Sequence, residues 1–147
     1  MLDNMTIMVL DYLKLPSGLF NLMVNTYVEQ FGDIAVIHIE GIFNIDSLTK
    51  IEYVWMAQIR KMPRVIAINC QKLESLDSSA IGFIVKFFNY AMAQGIMLVF
   101  YDLNPLLQKL FATAKLDRYF TITSRSDFEN RYVLHTAPSL YASYEVM

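Results

Sequence analysis

From residue 22 onward, short apolar or alternating runs take turns with segments in which apolar residues recur every three or four positions, the mark of strands alternating with helices. Leu22 to Phe31 and Asp33 to Glu40 read as two strands joined at Gly32-Asp33, so an antiparallel hairpin is the simplest connection. The second strand alternates, with Ala35, Ile37 and Ile39 on one face and Val36 and His38 on the other. Gly41 ends it. Asp46-Ser47 can cap a helix in which Leu48, Ile51, Trp55, Ile59 and Met62 recur at helical spacing until Pro63 stops it. Arg64 to Cys70 is mostly apolar and suits a strand buried on both faces.

The stretch Leu73-Glu74-Ser75-Leu76-Asp77-Ser78-Ser79-Ala80-Ile81-Gly82-Phe83 joins that strand to a periodic segment, Ile81 to Met92, that predicts a second helix. Asp77, Ser78 and Ser79 therefore fall at a helix N-terminus, where side-chain oxygens cap free backbone N–H groups and where the helix dipole favours added negative charge. A hydroxyl at this place is either a structural cap or a phosphorylation switch. The helix carries two apolar stripes. Ile81, Ile84, Val85, Phe88, Ala91 and Met92 form one, which suffices to pack on a sheet; Phe83, Phe87 and Tyr90 form another that continues back to Ser79. Either another helix or the N-terminal extension covers the second stripe, or a partner does.

Gly95 fits the position just past that helix, and Ile96 to Tyr101 is a fourth, apolar strand. Asn104-Pro105 supplies a cap and a first-turn proline for a third helix with Leu106, Leu107, Leu110 and Phe111 inward. Tyr119 to Thr123 reads as a last strand, and Ser124-Arg125-Ser126-Asp127 resembles a capping box that opens a final helix carrying Phe128, Tyr132 and Val133. A hairpin followed by strand–helix alternation specifies an α/β domain with a mixed sheet of about five strands, about four helices and right-handed crossovers. Residues 1–20 do not fit this pattern and read as an N-terminal extension. Residues 21–135 form the domain and 136–147 a C-terminal tail.

A chain of 147 residues is long enough to bury a substantial core as one domain. Hydrophobic content of 55% against 18% charge implies a large core or apolar surface that meets partners. No run reaches the ~18 apolar residues of a membrane span, and the layout of a signal peptide is missing, so a cytoplasmic location is expected. One cysteine, Cys70, rules out an internal disulfide, and a net charge of −2 without a basic cluster argues against a nucleic-acid groove.

Catalysis finds few residues to use. An aspartate adjacent to a serine cannot serve as its base, and Leu76 and Ala80 replace the small residues of a nucleophile elbow around Ser78. The two histidines, His38 and His135, are far apart, and no second cysteine completes a metal-ligand spacing. Glycines 18, 32, 41, 82 and 95 never cluster as a phosphate or dinucleotide loop requires. The segments after the first two strands offer no acidic pair for the magnesium of a phospho-accepting receiver domain. Neither a cofactor, a metal nor an enzyme activity is expected.

Taken together, Asp33 to Glu40 followed by Gly41, the element Leu76-Asp77-Ser78-Ser79-Ala80-Ile81-Gly82, then Gly95, an apolar strand and Asn104-Pro105-Leu106-Leu107 resemble a STAS domain of the anti-sigma factor antagonist type. The resemblance covers about Met23 to Tyr132. It implies that the serine directly after the aspartate, Ser78, is phosphorylated by a partner that is both anti-sigma factor and serine kinase, with Ser79 the runner-up site. It also implies a cycle: the unphosphorylated domain binds the kinase and frees a sigma factor, phosphorylation ends binding, and a PP2C-type phosphatase resets the switch. The expected partner surface is Asp77, Ser79, Phe83, Phe87, Tyr90 and Asn44; a homodimer is left open. Two positions depart from the family pattern. Ile42-Phe43-Asn44 stands where the family has an acidic pair around a leucine, and Ala80 stands where glycine follows the paired serines. The first bears on kinase contact, and the second adds a methyl group where backbone and kinase would approach. The alternative reading is a STAS scaffold that is not phosphorylated and acts inside a larger signalling or transport complex.

Overall fold

The computed structural model describes residues 24–134; the expected extension, the tail and His135 lie outside the described residues. Five strands form one mixed sheet in the order β1 (Asn25–Phe31), β2 (Ile34–Phe43), β3 (Val65–Leu76), β4 (Met97–Tyr101) and β5 (Thr121–Thr123). The first pair is antiparallel and every later pair is parallel. The connecting helices are α1 (Leu48–Arg60), α2 (Ser78–Ala93) and α3 (Pro105–Thr113), and a short α4 (Arg125–Phe128) continues as a π turn, Glu129–Val133. The α/β class, the opening hairpin and the numbers of strands and helices are those the pattern predicts.

Because the strands follow one another in sequence order, right-handed crossovers place α1, α2 and α3 on the same face. The larger core cluster accordingly joins Ile37, Ile39, Ile66, Ile68 and Phe100 of the sheet to Trp55, Phe87 and Phe111 of these helices. The opposite residues, Ile34, Val36, Val65, Ala67, Val99 and Tyr101, gather with Phe128 of α4 in a smaller cluster. The alternation in β2 thus separates two cores.

β3 is longer than its apolar run suggests. It pairs with β4 only as far as Asn69, while Lys72, Leu73, Ser75 and Leu76 continue alongside β2, with shifts of register after His38 and after Gly41. Gly41 has φ +93°, which an L side chain rarely adopts. A bent two-stranded ribbon therefore projects past the carboxyl edge of the sheet. The polar residues Gln71, Lys72 and Glu74 hid this extension from a reading by hydrophobic run.

Several boundaries differ from expectation. Asn44, not Asp46-Ser47, opens the α1 region: its Oδ1 accepts from Asp46 N at 3.0 Å and its own N–H donates to Ser47 Oγ at 3.2 Å, capping the single 3-10 turn Ile45–Ser47. α1 ends at Arg60, since Met62 adopts φ +55° ahead of Pro63 and turns outward. Leu106 is exposed rather than inward, while Leu107 and Phe111 are buried and Leu110 packs partly buried against the same core. α2 closes as expected at Gly95, with Ile96 N donating to Ala91 O at 2.9 Å and Gly95 N to Met92 O at 3.0 Å.

Candidate functional site

The ribbon delivers Asp77 to the start of α2, and Asp77 is the residue that caps it. Its Oδ1 accepts from Ala80 N at 2.8 Å, while Oδ2 accepts from Ile45 N at 3.0 Å; its own N–H donates to Phe43 O at 3.2 Å. One carboxylate thereby fastens the first turn of α2 to the 44–47 turn. Ser78 is the first helical residue, exposed and spared the capping role, so a structural-cap reading of Ser78 is overturned. Ser79 is half-buried one position on. Asn44 is half-buried and spends its side chain on the neighbouring turn, beside Ile45, which is 63% exposed.

A third tie holds the ribbon from the other side. Asn104 caps α3 through Oδ1, which accepts from Leu107 N at 2.8 Å, and donates from Nδ2 to Leu73 O at 3.1 Å. Sequence reasoning saw Asn104 as a cap alone; the second bond depends on β3 running past Cys70, which no local signal announces.

The expected partner surface is corrected on two residues. Phe83 and Phe87 are buried, because α1 lies against that stripe of α2. Their rings meet Trp55 at centroid distances of 5.6 and 5.2 Å, and Phe83 meets Phe43 at 6.1 Å, an aromatic cluster worth more than its buried area through edge-to-face contacts. Ala80 is likewise fully buried, so its methyl group belongs to the core and not to an approach path for a partner. Tyr90 is 48% exposed, but it lies twelve residues from Ser78, ~18 Å along the helix. The exposed row that runs from Ser78 is instead Gly82, Lys86 and Tyr90 at four-residue steps. Lys86 donates to Glu52 at 2.9 Å, and that hydrogen bond holds its ammonium above the ordinary lysine range.

Burial pushes the Cys70 thiol well up, which suppresses the nucleophilic thiolate. Among the described residues no three His, Cys, Asp or Glu side chains cluster as a metal site would need, and no helix is long and apolar enough to cross a membrane.

The family model described as STAS domain matches residues 25–128. The chain belongs to the STAS domain family. No curated protein sequence matches this STAS domain. Its fold is that of solved anti-sigma factor antagonists. A Thermotoga maritima protein provisionally described as one is 17% identical with a TM-score of 0.68, over 74% of this chain and 93% of that one. An anti-sigma factor antagonist from Mycobacterium paratuberculosis is 18% identical with a TM-score of 0.65, over 76% and 94%. The anti-sigma factor antagonist SpoIIAA in its unphosphorylated form is 17% identical with a TM-score of 0.63, over 73% and 95%. The Bacillus cell-fate determinant SpoIIAA in its phosphorylated form is also 17% identical, with a TM-score of 0.59, over 73% and 98%. At these identities the likeness establishes the fold.

Proposed function

We propose that this STAS domain is a cytoplasmic anti-sigma factor antagonist, a binding switch and not an enzyme, set by phosphorylation of Ser78. In this reading the unphosphorylated domain binds an anti-sigma factor that is also a serine kinase and so frees a sigma factor; a PP2C-type phosphatase restores the binding form. The observation that carries it is Ser78 itself: an exposed hydroxyl at the first position of α2, left available because Asp77 does the capping.

A phosphate there adds about −1.5 to −2 charge at neutral pH. Facing the helix N-terminus, that charge is tolerated by the domain. In a docked complex it would have to be desolvated beside the Asp77 carboxylate, which is costly. Binding is therefore lost while the fold stays. The footprint on this domain is Ser78, Ser79 and Gly82 with the 44–47 turn, and Ile45 supplies an apolar anchor where the family pattern has an acidic group nearby.

Phosphosite mapping by mass spectrometry on protein from its native cells, with phosphatases inhibited, is the direct test, and phosphate on Ser78 is the expected result. Ser78→Asp should weaken kinase binding and leave the melting temperature nearly unchanged. A site that stays unmodified under growth and stress, together with binding indifferent to Ser78→Asp, would turn the reading to the scaffold alternative.

A further inference from the structure

Among the described residues, the sheet face opposite α1–α3 is roofed in part by the terminal helix, and between them lies a cavity of about 210 Å³. Phe31 and Phe128 line it, with Glu29 and His38 contributed by the hairpin and Arg125 and Glu129 by the terminal helix. None of these residues belongs to the Ser78 site.

A chain of hydrogen bonds fixes the orientation of the imidazole. Gln71 N donates to Asn69 Oδ1 at 3.0 Å, so the amide cannot be flipped without losing that bond. Asn69 Nδ2 then donates to His38 Nδ1 at 2.9 Å, which makes Nδ1 an acceptor. On the other side of the ring, Nε2 lies 2.5 Å from Glu29 Oε1. Tyr27 stacks on the ring with centroids 4.5 Å apart and holds its plane.

Glu129 is paired with Arg125 at 3.0 Å, whereas Glu29 makes no ion pair with a lysine or arginine among the described residues and presents its carboxylate at the cavity beside His38. An apolar cavity of ~150 Å³ takes a benzene ring, so this one has room for a ring with a short tail. We propose that the cavity is a binding site for a small aryl-alkyl ammonium ligand, its ring against Phe31 and Phe128 and its ammonium on Glu29.

Titration of the full chain with tyramine, followed by amide NMR, tests this directly. The expected result is saturable shifts at Glu29, His38 and Phe128, with 4-ethylphenol and 4-hydroxyphenylacetate binding at least about tenfold more weakly. Glu29→Gln should reduce tyramine to the level of 4-ethylphenol. The wild-type comparison of the three probes needs no variant. No saturable shift with millimolar tyramine, or equal binding of all three, would overturn the proposal.

Discussion

Asp77 and Ser78 are neighbours with opposite duties, and substitution should separate them. Asp77 holds two backbone N–H groups in two elements, so Asp77→Ala is expected to cost ~1–2 kcal/mol, read as a lowered urea midpoint. Ser78→Ala should stay within about 0.5 kcal/mol, since an exposed first-turn hydroxyl does no capping. Equal costs would mean that Ser78 carries the cap. Cys70 gives a second residue-level test: its buried thiol should resist alkylation in the native protein and react readily once unfolded. Reaction at the native rate of a free thiol would contradict that burial. The helix start at residues 77–79 was legible, because Asp and Ser before an apolar periodic run point to one. Which of the three capped it was not, since Asp and Ser serve about equally well there and the choice depends on Ile45, 32 residues away.

At the scale of elements, α2 is a helix with two buried sides. Its stripe Ala80, Ile84 and Ala91 and its stripe Phe83 and Phe87 both enter one core, the second by packing on α1. Phe83→Ala should therefore cost ~3–5 kcal/mol, the range for removing a buried ring, whereas Tyr90→Ala should cost within about 0.5 kcal/mol. Thermal or urea unfolding of the pair checks this, and a small loss for Phe83→Ala would place the ring outside the core. Periodicity revealed both stripes but could not say what covered the second: a helix covered by a neighbour and a helix awaiting a partner carry the same apolar positions. The deciding residue, Trp55, was already visible as an inward position of α1, yet its reach to α2 follows only from α1 and α2 sharing one face of the sheet.

For the whole molecule, strand order and class were legible because each strand and helix keeps its own hydrophobic period, while the ribbon was not, because its pairing is made by backbone beneath polar side chains. Burial of Cys70 and Tyr101 also sets a global pH response. Both groups are pushed up in the folded state, so folding holds protons that the unfolded chain releases. Stability should be intact below about pH 8.5, the unfolded thiol value, and then fall by ~1.4 kcal/mol per pH unit from the thiol alone, more steeply above about pH 10 where tyrosine joins. Urea midpoints across the alkaline range measure it; Cys70→Ala should flatten the first limb and Tyr101→Phe the second, and a flat wild-type profile would refute the burial account. The ribbon has a further consequence. Beyond Asn69 the strand β3 no longer pairs with β4, yet Phe43, Leu73 and Leu76 root the ribbon in the larger core and Asn104 holds Leu73 O. Residues 40–43 and 72–76 therefore cannot open without uncovering part of the aromatic core, and their amides should exchange with solvent at close to the free energy of global unfolding. The segment that presents Ser78 is thus a platform as rigid as the core it is rooted in.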